Sequence, residues 1–145
     1  MRHLLIAAAA ASVAMTSASA AVAADHVVRI RYNPDLELQY FDPPRLEIRA
    51  GDRVTWVHED RGTGHNVVAY PDGIPEGAAP FESPMMRSGD RWSLTFTSSG
   101  TYNYHCHPHE DQGMRGVVVV DRESRPDEMR KLRPGEHSHG SGHKH

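Results

Sequence analysis

The chain has 145 residues, 38% of them hydrophobic, and a formal net charge of −3. This length suits a single domain with a substantial core, and the mild acidity argues against nucleic acid as a partner, because nucleic-acid binding requires a basic surface. Downstream of the first 24 residues no apolar run is long enough to cross a bilayer, so we expect no membrane span there.

The first 24 residues have the features of a secretory signal peptide. Arg2 supplies a positive start, residues 4–15 form an apolar run, and Ala21-Val22-Ala23 offers a cleavage site. An uncleaved membrane anchor is the alternative, but the run is shorter than the roughly 20 residues that a spanning helix needs. The sequence therefore predicts a protein exported to the periplasm.

Residues 25–121 show the pattern of an all-β domain. Hydrophobic side chains recur at every second position, as where Val28 and Ile30 alternate with arginines, and this is the period of a half-buried strand. Short strands separated by Gly- and Pro-marked turns predict an antiparallel sandwich or barrel with Greek-key connections, and of these two we expect the β-sandwich. Ser98-Ser99-Gly100 is predicted to be a hairpin turn between two of its strands. The predicted strands occupy 26–32, 45–57 with a turn at 50–52, 65–70, 91–97, 101–106 and 115–121.

Residues 122–145 differ in composition from the rest of the chain. They carry alternating charge without aliphatic periodicity, so we expect disorder, with a possible short helix at 126–132. The segment ends in glycine, serine and histidine, and such tracts gather Cu, Ni or Zn loosely. Its four last histidines are His137, His139, His143 and His145.

The segment 104–116 concentrates metal-ligating side chains. Cys106, His109 and Met114 follow the spacing C-x2-H-x4-M, and Cys106 is the only cysteine of the chain. Pro108 ends the preceding strand and Gly113 allows the loop to double back, so the three side chains are expected to converge.

A fourth ligand must come from elsewhere in the sequence, and His65 is the best candidate because it follows two glycines at the start of a predicted strand. Two imidazoles, one thiolate and a thioether form the ligand set of blue-copper electron-transfer sites. Zinc is a weaker interpretation, since thioether sulfur suits it poorly. A bound metal would also explain an unpaired cysteine in an oxidising compartment.

Three segments carry a resemblance to a known family. FDPPRLEIRAGDRVTWV (41–57), GHNVV (64–68) and GTYNYHCHPHEDQGMRGVVVV (100–120) are similar to the plastocyanin and pseudoazurin branch of the cupredoxins. The resemblance implies a cupredoxin β-sandwich with one type 1 copper ion per chain.

The resemblance also implies roles for particular residues. It assigns His65, Cys106, His109 and Met114 as the copper ligands, residue by residue. His109 would be the ligand whose ring edge reaches the surface, and Asn66 would tie the ligand loops together through hydrogen bonds.

His105 and His107 raise an alternative, because they flank Cys106 as histidines do in the last domain of multicopper oxidases. Such an oxidase needs further paired histidines from a second domain, and its cysteine-to-histidine spacing is longer. In a strand both side chains would point away from Cys106, so we expect them to be exposed to solvent. A second metal site shared between chains is the remaining interpretation.

We therefore predict an exported, monomeric carrier that passes single electrons between redox protein partners. It is not expected to be an enzyme, since four protein ligands leave no open coordination position. A copper courier or storage protein that uses the histidine-rich tail is the alternative of a different class. Cleavage after Ala23 would also create an Ala24-Asp25-His26 terminus whose nitrogens suit Cu(II).

Overall fold

The structure is a computed structural model that describes residues 22–122. Most of the predicted signal peptide, the predicted helix at 126–132 and the histidine-rich tail lie outside the described residues. Within them the strands are β1 (Asp25–Asn33), β2 (Leu38–Asp42), β3 (Arg45–Arg49), β4 (Arg53–His58), β5 (Val68–Ala69), β6 (Arg91–Thr95), β7 (Gly100–His105) and β8 (Arg115–Asp121). Short 3-10 helices occupy Pro71–Gly73 and His107–Gln112.

The strands form two four-stranded sheets, ordered β2-β1-β4-β6 and β3-β8-β7-β5. The predicted all-β sandwich is confirmed. Both sheets are mixed, however, because β1 pairs with β4 and β3 with β8 in parallel, while the other pairs are antiparallel. Among the described residues no helix is long and apolar enough to cross a membrane.

The prediction of a hairpin turn at residues 98–100 is wrong. β6 lies in the first sheet and β7 in the second, so the chain crosses between the layers at this point. The turn residues predict a change of direction correctly, but they do not specify which strand the chain then pairs with.

Strand β2 was not predicted from the sequence. It is an edge strand in which Phe41 alone is fully buried, so its alternation is weak. The predicted strand at 65–70 is paired in the ladder only at Val68–Ala69, with an additional isolated bridge between His65 and Met86.

An aromatic cluster joins the sheets beneath the end of β7. The Tyr104 ring is fully buried and packs edge-on against Phe41 at 4.8 Å and Trp56 at 5.4 Å between ring centroids. Side chains two positions apart lie on the same face of a strand, so the burial of Tyr104 directs Cys106 inward as well. Gly116 faces Tyr104 across the ladder, and a Cβ there would lie 2.4 Å from the phenol ring.

Asp52 fastens the start of β1 to the turn that follows β3. Its carboxylate accepts hydrogen bonds from the Ala24 amide at 2.9 Å, the His26 ring at 2.9 Å and the Arg49 amide at 3.0 Å. Burial alone would raise the pKa of Asp52, but these bonds outweigh it and lower the pKa to about 2. The Ala24 nitrogen and the His26 ring, which would both bind Cu(II) at an Ala24-Asp25-His26 terminus, are thus hydrogen-bonded to Asp52 in this structure.

The substitution Asp52→Asn tests this anchor. Because the folded-state pKa lies below the ordinary value of 3.8, ionisation stabilises the fold above about pH 4, and this contribution is lost as pH falls toward 2. We expect the variant to lose about 2 kcal/mol of unfolding free energy at pH 7 and much less near pH 2.5. Urea denaturation at both pH values measures the difference, with exposed Asp35→Asn as the control. An equal loss at both pH values would contradict the ionised anchor.

Candidate metal centre

The loop after β7 returns on itself as the sequence predicts. Residues 107–112 form a 3-10 helix, and Gly113 ends it with a left-handed backbone at a φ of 81°. The Cys106 amide donates to the Met114 carbonyl at 3.0 Å, and the Met114 amide donates to the His109 carbonyl at 3.2 Å. The backbone thus brings the three candidate ligands of this loop together.

Three candidate ligand atoms converge inside the sandwich. The Cys106 Sγ lies 3.5 Å from the Nδ1 of His65 and 3.5 Å from the Nδ1 of His109. His65 and Cys106 are 0% exposed and His109 is 7% exposed. Sulfur and nitrogen atoms that share one ion through bonds of about 2.0–2.3 Å lie roughly 3–4 Å apart. The separations in this cluster therefore fit a single metal ion.

Met114, the fourth candidate ligand, is 1% exposed. Its backbone bonds to Cys106 and His109 place it at the same end of the sandwich as the other three. Its thioether would be the weak, distant ligand of the set, a role that stays a prediction.

Burial controls the charge of the cluster. It raises the pKa of the Cys106 thiol against the opposing effect of the Asn66 and His109 amides. It also lowers the pKa of His65 and of His109. The imidazoles are therefore held in the neutral form that metals bind, while a coordinating cation is what deprotonates a buried thiol.

Asp60 orients His65, a role that the sequence pattern does not predict. Its Oδ2 lies 3.0 Å from the His65 Nε2, and its Oδ1 accepts the Gly62 amide at 3.0 Å. Burial alone would raise the pKa of Asp60, but these two bonds outweigh it and lower the pKa. A carboxylate on one ring nitrogen fixes the proton there and leaves the other nitrogen free for a metal. The only sequence signal is an acidic residue five positions before His65.

Two further contacts connect the ligand loops. The Asn66 Oδ1 accepts the His107 amide at 2.8 Å, which confirms that Asn66 ties the His65 segment to the Cys106 segment. The His109 Nε2 lies 3.3 Å from the Thr63 hydroxyl, so this nitrogen faces the loop before His65.

The prediction that His105 and His107 are both exposed is wrong for His105. His107 is exposed, but His105 is only 7% exposed because the Tyr70 ring stacks on it at 4.3 Å between centroids. The alternation of β7 does direct His105 away from Cys106, but the residues after β5 cover that face.

Comparisons with known proteins agree with this fold. The model of the family described as copper binding proteins, plastocyanin/azurin family, matches residues 30–121. A plastocyanin from Scenedesmus fuscus is 35% identical over 97 residues, covering 64% of this chain and 98% of that protein. An amicyanin from Paracoccus denitrificans is 41% identical over 87 residues, covering 60% of this chain and 63% of the amicyanin. A solved pseudoazurin from Sinorhizobium meliltoi has a TM-score of 0.59 and 30% identity, covering 68% of this chain and 74% of the pseudoazurin.

Two packed sheets with a buried Cys/His cluster at one end define a β-sandwich metalloprotein. More particularly, the chain belongs to the plastocyanin/azurin family of copper binding proteins. The predicted cupredoxin fold and the predicted cofactor, copper, are therefore confirmed. The assignment of individual residues as copper ligands stays a prediction.

Asp60→Ala tests the support of His65. We expect copper binding to weaken by about 10–100-fold, because the imidazole loses the partner that fixes its orientation and proton. Asp60→Asn keeps an acceptor for the His65 ring and should lose less. Competition titration with a copper chelator measures both affinities, and Glu59→Gln, which removes the neighbouring carboxylate, is the control. Equal affinities for Asp60→Ala and the unaltered protein would contradict this role.

Proposed function

We propose that this protein is an exported type 1 copper protein that transfers single electrons between redox partners. His65, Cys106, His109 and Met114 hold the copper in this proposal. The observation that carries it is the approach of the Cys106 Sγ to both imidazole Nδ1 atoms at 3.5 Å within a buried cluster.

The chemistry of the donor set fits copper. Thiolate and thioether sulfur suit Cu(I), and imidazole also suits Cu(II), so the mixed set accommodates both oxidation states. When bound, copper supplies the one-electron couple between these states. The chain's own contribution is to hold the ligands in nearly fixed positions and to exclude water from them.

Hydrogen bonds on the His65 side of the cluster supply part of that rigidity. The His65 amide donates to the Met86 carbonyl at 3.1 Å, and the Met86 amide donates back to the His65 carbonyl at 2.7 Å. Together with the Asp60 contact, these bonds fix both the backbone and the ring of His65. A ligand that does not move when the charge changes adds little to the reorganisation needed for electron transfer.

The burial of the cluster favours a carrier over an enzyme. The four candidate ligands are 0–7% exposed, which leaves no open face for a substrate. Electrons would leave on the side of His109, the most exposed ligand of the loop. Residues 25–121 hold fifteen acidic and nine basic residues, so a partner with a basic docking surface would be favoured electrostatically. The predicted signal peptide supports a periplasmic location.

The absorption spectrum of the copper-loaded protein tests the proposal. We expect an intense visible charge-transfer band and reversible one-electron reduction. Cys106→Ser should abolish the band, because a copper–thiolate bond is its origin. A colourless protein after loading with Cu(II), with the thiol shown to be reduced, would contradict the proposal.

Met114→Leu tests the axial position separately. We expect this variant to keep copper and the visible band but to have a higher reduction potential, since the axial ligand and the polarity near the sulfur tune it. Voltammetry measures the shift, and Met85→Leu is the matched control because Met85 is 56% exposed. The same potential in the Met114 variant and the control would exclude Met114 as the axial ligand.

A further inference from the structure

A second group of metal-ligating side chains lies on the outer face of the same strand end. It consists of His105, His107 and Glu110, each of which offers one ligand atom, and these atoms all lie within 4.8 Å of one another. His105 ends β7, while His107 and Glu110 belong to the 3-10 helix that follows. The two histidines flank Cys106 in sequence but lie outside the cluster that contains it.

The His105 side chain is buried and makes no hydrogen bond among the described residues. Its Nδ1 is fully buried and has no partner, and its Nε2 lies 3.6 Å from the Glu110 Oε2. The ring nitrogen that faces Glu110 is therefore Nε2, which is the candidate ligand atom of His105. The imidazole is thus held against a carboxylate oxygen at a distance too long for a hydrogen bond.

Tyr70 sets the geometry of this pair. Its ring stacks on His105 at 4.3 Å between centroids, and its hydroxyl donates to the Glu110 Oε1 at 2.8 Å. Arg115 also lies on the Oε1 side, at 4.0 Å, and over the Tyr70 ring. These contacts occupy one carboxylate oxygen and leave Oε2 facing His105.

His107 closes the group from the solvent side. Its amide is fixed by Asn66 at 2.8 Å, while its ring is exposed and lies 6.2 Å from the His105 ring between centroids. The backbone is therefore fixed while the side chain remains free to approach an ion from solvent.

We propose that His105, His107 and Glu110 bind a divalent first-row transition metal ion at a site separate from the Cys106 cluster. Two imidazoles and one carboxylate suit such ions, and three protein ligands leave a position for water. The site is sulfur-free and open to solvent on one side, in contrast to the sulfur-containing, buried Cys106 cluster. It does not depend on the proposed electron-transfer function.

Zn²⁺ is the probe, because it is redox-silent and accepts this ligand set. The full chain is loaded with copper, freed of excess metal and titrated with Zn²⁺ by calorimetry. To remove competition from the tail, all variants carry His137→Gln, His139→Gln, His143→Gln and His145→Gln. We expect one Zn²⁺ to bind per chain.

The variants His107→Gln and Glu110→Gln test whether these two side chains bind the Zn²⁺ ion. Loss of a residue that only supports a ligand weakens metal binding roughly 10–100-fold. Each of these variants loses a direct ligand, so we expect Zn²⁺ binding to weaken by at least that factor. Glutamine at position 110 can still accept from Tyr70, which preserves the fold around His105. The controls are Asp111→Asn, which removes an adjacent exposed carboxylate, and His26→Gln, which removes an imidazole elsewhere. Both controls should bind Zn²⁺ as tightly as the parent.

The parent is the chain that carries only the four tail substitutions. If the parent does not bind Zn²⁺, or if either His107→Gln or Glu110→Gln leaves its Zn²⁺ affinity unchanged, the three-ligand site is overturned. The visible band is recorded on the same samples. A missing band counts against the proposed function at Cys106, whereas the two ligand variants decide the second site whether or not the band is present.

Discussion

The contact on which this molecule depends is the approach of the Cys106 sulfur to two imidazole nitrogens from different parts of the chain. It exists because Tyr104, two positions earlier on β7, is locked into the aromatic core between Phe41 and Trp56. The side-chain alternation of a strand then directs Cys106 inward. Core packing thus determines where the Cys106 sulfur lies, before any metal is considered.

A small set of polar contacts holds the ligand loops to one another. Asp60 bonds to the His65 ring, Thr63 lies against the His109 ring, and Asn66 bonds to the backbone after Cys106. These contacts are buried or partly buried, where hydrogen bonds are electrostatically stronger than in water and an unpaired group is costly. Loss of any one partner would therefore leave an unsatisfied polar atom beside the candidate ligands.

The end of β7 presents different chemistry on its two sides. Inward, sulfur and neutral imidazoles are shielded from water by the sandwich. Outward, His105 lies under the Tyr70 ring beside a carboxylate that Tyr70 also holds. Side chains alternate between the two faces at this strand end, so Cys106 points inward while His105 and His107 point outward. The two environments are therefore joined directly by the peptide bonds on either side of Cys106.

The all-β class, most strands and the candidate ligands of the loop can be predicted from the sequence, because they depend on local signals: period-two burial, turn residues and the spacing of Cys106, His109 and Met114. The sequence did not determine that the two sheets are mixed, that 98–100 crosses between them, that Asp60 supports His65 or that His105 is covered. Each of these depends on segments that are distant in sequence becoming neighbours. Strand pairing and burial are properties of the packed layers, and residue periodicity specifies a face without specifying what lies against it. What lies against each face depends on how the two sheets pack in three dimensions.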